Sequence, residues 1–153
     1  MATRKSGFLA HDWQLIENRM NELAGDTTHN VVAQYRQATA ELVRHLRKSG
    51  VADSLFGQTS LDSLRLSTTD PVAMGGGTLL IERAETEGMI RLVFEEYSWP
   101  NPALGKKNWS HEYRLGEIKP ALARFFLRAG WFGKNHPAVI ALVGTMDTSV
   151  ERY

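Results

Sequence analysis

The chain opens on two stretches whose apolar residues recur with helical spacing. In HDWQLIENRMNELAGD, Trp13, Ile16, Met20 and Leu23 fall three and four positions apart, so they line one side of a helix. Asp12 stands where an N-cap is wanted and Gly25 where a helix stops. A longer helix is expected from about Thr28 to Ser49, with Val32, Tyr35, Thr39, Leu42, Val43 and Leu46 on one face. Arg44, Arg47 and Lys48 crowd its last turn, where cations suit the helix dipole, and Gly50 ends it. The short connection between the two predicts an antiparallel helical hairpin.

Beyond VADSLFG the period changes to alternation. SLRLSTTDP has room for one short strand, Asp70-Pro71 marks a turn, and MGGGT precedes TLLIERA. TLLIERA and MIRLVFEEY, joined by Glu85-Thr86-Glu87-Gly88, form the clearest hairpin. Setting Ala84 opposite Met89 places Glu82 beside Arg91, Leu80 beside Val93, Ile81 beside Leu92 and Leu79 beside Phe94. A shift that brought Arg83 against Arg91 would juxtapose like charges. Leu79, Ile81, Ile90, Leu92 and Phe94 then make a core face. Leu80, Glu82, Arg91, Val93, Glu95 and Tyr97 make a half-exposed one.

A third strand, NWSHEYRL, alternates Trp109, His111, Tyr113 and Leu115 with Ser110, Glu112 and Arg114. Trp99 opposite Trp109 would bring Glu96 against Glu112. Sliding by two pairs Tyr97 with Trp109, Glu95 with His111 and Val93 with Tyr113, and this register is the one expected. It leaves residues 98–108, SWPNPALGKKN, as a long loop carrying Trp99, Lys106 and Lys107.

Helices close the chain. EIKPALARFFLRAG sets Leu122, Phe125, Phe126 and Ala129 on one face and Arg124 and Arg128 on the other, before Gly130. PAVIALV, from Pro137, reads as a short helix or a buried strand. The order predicts an α+β fold in a single domain over 1–153, with residues 1–10 and 145–153 as loose termini. It consists of a three- or four-stranded antiparallel sheet, an N-terminal helical hairpin and C-terminal helices packed on one face. The expected core is Leu79, Ile81, Leu92 and Phe94 with Trp13, Leu42, Leu46, Leu122 and Phe125.

Composition narrows the chemistry. With no cysteine, thiolate catalysis, disulfides and cysteine-zinc sites are excluded. The basic N-terminus is followed only by GFLA, too short for a signal peptide, and AVIALV is too short to cross a bilayer, so a cytoplasmic protein without membrane contact is expected. The net charge of +1 hides an asymmetry. Residues 51–100 hold three Lys/Arg against eight Asp/Glu, and residues 101–153 hold eight against four.

No nucleotide-binding, nucleophile-elbow, zincin or EF-hand pattern occurs, and histidines 11, 29, 45, 111 and 136 have no metal-ligand spacing, so neither cofactor nor metal is expected. Glu95, His111 and Tyr113 form the one constellation suited to acid/base work, in competition with an ordinary surface ion pair. The binding reading draws on more residues: Arg91, Glu95, Tyr97, Trp99, Lys106, Lys107, Trp109, His111, Tyr113 and Arg114, all within 89–115. Trp, Tyr and Arg mark protein-protein hot spots. Tyr97, Trp99, Trp109 and Tyr113 are also suited, as a second reading, to stacking the bases of a single-stranded nucleic acid, with Lys106 and Lys107 on phosphates, although Glu95, Glu96 and Glu112 would oppose it. The expectation is a non-catalytic binding or regulatory module for a protein partner, suited to a bacterial or phage accessory protein. Single-stranded nucleic acid and a small acid/base enzyme are the alternatives.

Overall fold

A computed structural model describes residues 11–25, 30–68, 77–96 and 107–143. Asp12 caps α1 (Trp13–Ala24) by accepting the Gln14 backbone N–H at 2.8 Å, and Ile16 and Met20 are its buried residues. α2 (Asn30–Lys48) buries Val32, Tyr35, Thr39, Leu42, Val43 and Leu46, the face its periodicity defines. Arg47 reaches Glu17 at 2.8 Å and Arg44 reaches Asn21 at 2.6 Å. Advancing along α1 therefore retreats along α2, as an antiparallel hairpin requires. A turn of 3-10 helix, Val51–Ser54, leads from α2 into the sheet.

The sheet has five strands in sequence order, each antiparallel to the next: β1 (Phe56–Ser60), β2 (Ser63–Ser67), β3 (Thr78–Arg83), β4 (Met89–Glu96) and β5 (Lys107–Arg114). The sequence predicts three or four, and the strand it misses is β1. FGQTS carries a glycine as its second residue, and glycine weakens a strand. Here Gly57 is instead the point where α1 closes on the sheet, for a Cβ at this position would lie 3.0 Å from both Ile16 Cδ1 and a ring carbon of Trp13. The indole N–H of Trp13 donates to the Leu55 carbonyl at 3.1 Å, which fixes the ring over that glycine.

β3 and β4 pair in the expected register, with Leu79 opposite Phe94, Ile81 opposite Leu92 and Glu82 opposite Arg91. The last pair closes as an ion pair at 2.8 Å. Leu64, Leu66, Leu79, Ile81, Ile90 and Leu92 project from one face into the same apolar cluster as the helices, each fully buried. Leu42, Leu46, Leu122 and Phe125 are buried as expected. Phe94 and Trp13 are not fully so: both pack against the cluster from its margin and remain half-exposed.

The register of β4 on β5 differs from the expected one. Phe94 lies opposite Trp109, Leu92 opposite His111, Ile90 opposite Tyr113 and Glu95 opposite Asn108. This is a three-residue slip from the Tyr97-Trp109 pairing. Because the side-chain period is two, it also turns Trp109, His111 and Tyr113 to the helix-covered face. Ring packing explains the choice. A cross-strand ion pair such as Glu95-His111 contributes about 0.2–1 kcal/mol. The observed register instead brings Trp109 to the Phe125 ring at 5.9 Å and buries part of both, a gain of about 0.5–1.5 kcal/mol beyond area burial for an aromatic pair.

A short 3-10 turn, Leu115–Glu117, leads to α3 (Ile118–Ala129), and Gly130 ends that helix at φ 74° with the Trp131 N–H donating back to the Phe126 carbonyl. Residues 137–143 are helical, α4 (Pro137–Val143), resolving the helix-or-strand ambiguity. The Ala138 backbone N–H donates to His136 Nδ1 at 3.0 Å at its start, and His45 Nε2 donates to the Ala141 carbonyl at 2.7 Å near its end. Among the described residues no helix is long and apolar enough to cross a membrane.

Candidate partner-binding surface

Alternation along β5 sets Trp109, His111 and Tyr113 in a row on the face shared with α3. The Trp109 and His111 rings are nearly parallel, 6.3 Å apart and inclined by 11°, and His111 and Tyr113 lie 4.7 Å apart. His111 is exposed, whereas Trp109 and Tyr113 are half-buried. Beneath the tryptophan, Phe125 contacts Phe94 at 5.2 Å and Trp131 at 5.1 Å, so the row is the exposed margin of a packed aromatic cluster.

The cations beside this row come from α3. The guanidinium carbon of Arg128 lies 5.2 Å from the Trp109 ring centroid and that of Arg124 lies 5.9 Å from the Tyr113 ring. Residues four apart share a helix face, so both arginines lie on the flank of α3 nearest β5. Sequence reasoning places these two residues on the polar side of α3 and leaves them out of the site. Their spacing is visible in the chain, but their meeting with a strand ten or more residues earlier is set by packing.

The remaining candidates are dispersed. Arg91 is half-buried on the opposite face, engaged by Glu82, with Glu112 as its neighbour across β5. Arg114 is exposed at the end of β5 on that same face, and its backbone N–H donates to the Glu117 carboxylate at 3.3 Å. Lys107 begins β5 opposite Glu96, and the side chains of Glu95, Glu96 and Lys107 lie outside the described ones. Tyr97, Trp99 and Lys106 lie outside the described residues altogether. The Glu95, His111 and Tyr113 constellation is not assembled: His111 faces Leu92 across the ladder, and the Glu95 position belongs to the other face of the sheet.

Two clefts, of about 320 and 410 Å³, open elsewhere. One lies at the β3–β4 turn between Arg83, Glu85, Glu87 and Tyr35, and the other between α2 and the start of α3, beside Gln34, Glu41 and Lys119. Neither is lined by a histidine or a serine, and among the described residues no three His, Asp or Glu side chains gather where they could hold a metal. Comparison with known proteins finds no matching family model, no similar curated protein and no similar solved structure.

Proposed function

We propose that the protein is a non-catalytic binding module that engages a protein segment along β5 and the adjoining flank of α3. One observation carries this reading. β5 is an eight-residue edge strand with no strand paired to its outer side among the described residues, and the aromatic row it bears stands beside two arginines. The opposite edge, β1, is bridged by His11, whose backbone N–H donates to the Gly57 carbonyl at 2.7 Å. An edge strand offers backbone hydrogen bonds to an extended peptide, and alternate side chains supply the selectivity. Trp, Tyr and Arg are the residue types that dominate such interfaces.

Single-stranded nucleic acid remains the second reading, favoured by the two arginines and by the separation of Glu112 onto the far face. Against it, the arginines already lie over the rings on which bases would stack. The test is to pan random linear peptides on the wild type and on Ser110→Pro. Proline at an exposed edge position removes one outward N–H and fits an edge strand. Sequences should enrich on the wild type and be lost on the variant at unchanged Tm. Failure to enrich any peptide, or equal retention by both proteins, would contradict edge-strand binding.

A further inference from the structure

We propose that the outer edge of β5, unpaired among the described residues, and the flank of α3 beside it take an extended acidic segment of a partner protein, added as a sixth strand with carboxylates four residues apart. The inference rests on the binding-module reading and names its ligand.

The hydrogen-bonding phase of β5 sets the position of such a strand. The Leu115 N–H donates to the Gly88 carbonyl, which marks residue 115 as one whose backbone faces β4. Alternation then points Tyr113, His111 and Trp109 to β4 and leaves the N–H and C=O of Asn108, Ser110 and Glu112 directed outward. Arg114 would be next, but its outward N–H donates to Glu117, so the row of outward-facing groups ends there. An added antiparallel strand, the arrangement of every ladder in this sheet, bonds to Asn108, Ser110 and Glu112.

Its residues opposite Trp109, His111 and Tyr113 then fall on the side of α3. Arg128 stands at the level of Trp109 and Arg124 at the level of Tyr113, four strand positions away. A guanidinium lying over a ring keeps its N–H groups in its own plane, directed past the ring edge, where a carboxylate is met with favourable geometry. Arg124 has a further interaction within the chain, so Arg128 is the principal contact and Arg124 the second. Glu112, the acidic residue of β5, projects from the other face and does not oppose an incoming carboxylate. The segment from 101 to 153, with its eight Lys/Arg against four Asp/Glu, adds a field of the same sign.

The test uses two labelled peptides with a strand-forming Thr/Val background, one with glutamates four apart and its twin with glutamines, titrated by fluorescence anisotropy in low salt. The acidic peptide should bind the wild type about ten-fold or more tightly than its twin, the discrimination expected of charge-assisted hydrogen bonds. In R124Q/R128Q that preference should vanish while weak binding of both persists. Ser110→Pro should lose both, with circular dichroism and Tm reporting that each variant is folded. Equal binding of the twins by the wild type, lost in Ser110→Pro, would overturn the acidic specificity and leave the edge reading standing. No binding of either peptide overturns the inference, and the random-peptide panning then judges the edge reading separately. Tighter binding of a labelled oligothymidylate than of the acidic peptide, reduced in R124Q/R128Q, would replace the acidic segment with single-stranded nucleic acid.

Discussion

Phe126→Ala is expected to lower the free energy of unfolding by about 3 to 5 kcal/mol. Phe126 is fully buried, with ring centroids of Phe132 at 4.9 Å, Trp131 at 6.0 Å and Phe125 at 6.3 Å. These neighbours are planar and interlocked, so they cannot close into the space the ring leaves, and the cavity contribution persists. Urea unfolding with an unchanged m-value is the measurement. A loss below about 1 kcal/mol would mean that the cluster repacks freely, contrary to the close packing described. Phe94→Ala, at the half-exposed margin of the same cluster, should cost less than Phe126→Ala because part of that ring is already in water.

Alkaline pH should expose a second dependence, carried by Tyr35. Its side chain is 2% exposed, and its hydroxyl donates to the Asp62 carbonyl at 2.7 Å. Burial pushes the phenol far above its ordinary range. The Asp62 and Glu82 carboxylates push it further, while Thr39 and Arg83 act in the opposite direction. The folded protein therefore keeps a proton that the unfolded chain releases above about pH 10. The contribution of Tyr35 is fully present below that pH and is lost as pH rises toward the elevated folded value. The decline steepens to at most about 1.4 kcal/mol per pH unit. Tyr35→Phe should cost about 1 kcal/mol at neutral pH for the lost hydrogen bond, and its deficit relative to the wild type should shrink above about pH 10. Urea unfolding of both proteins from neutral to strongly alkaline pH measures this. A deficit that stays constant across the range would show that the phenol ionises without resistance in the folded state.

The helices and the central hairpin were legible in the chain because local pattern and tertiary burial agree there. Ile16 and Met20, or Leu42 and Leu46, repeat at helical spacing and are buried for that reason. The β3–β4 register was legible because a single shift either pairs Glu82 with Arg91 or opposes two arginines. β1 was not, because Gly57 carries meaning only when Trp13 and Ile16 lie above it. The β4–β5 register was not either: charges on neighbouring strands are visible in sequence, but the ring packing of Trp109 against Phe125 is decided by α3. The same holds for the surface. That Trp109, His111 and Tyr113 share a side follows from alternation; which side, and that Arg124 and Arg128 stand beside them, follows from where α3 lies.

Among the described residues each strand of the sheet pairs with the strands next to it in sequence. Closing such pairs spans at most ten intervening residues, and loop entropy grows slowly with length, so the meander can zip outward from the β3–β4 hairpin. The helical layer has the opposite character. His45 on α2 meets Ala141 on α4 across 96 residues, and the buried faces of α1 and α2 share one cluster with those of α3 and α4. Folding should therefore be polarised, with the hairpin formed at the barrier and the α2–α4 contact made on the downhill side. Stopped-flow chevrons would show Leu79→Ala chiefly slowing folding and Val139→Ala chiefly speeding unfolding. The reverse partition would place helix docking, with its long loop closure, at the rate-limiting step. If the hairpin leads, the protein resists unfolding through contacts made after the barrier, and its kinetic lifetime is set by the seam between α2 and α4.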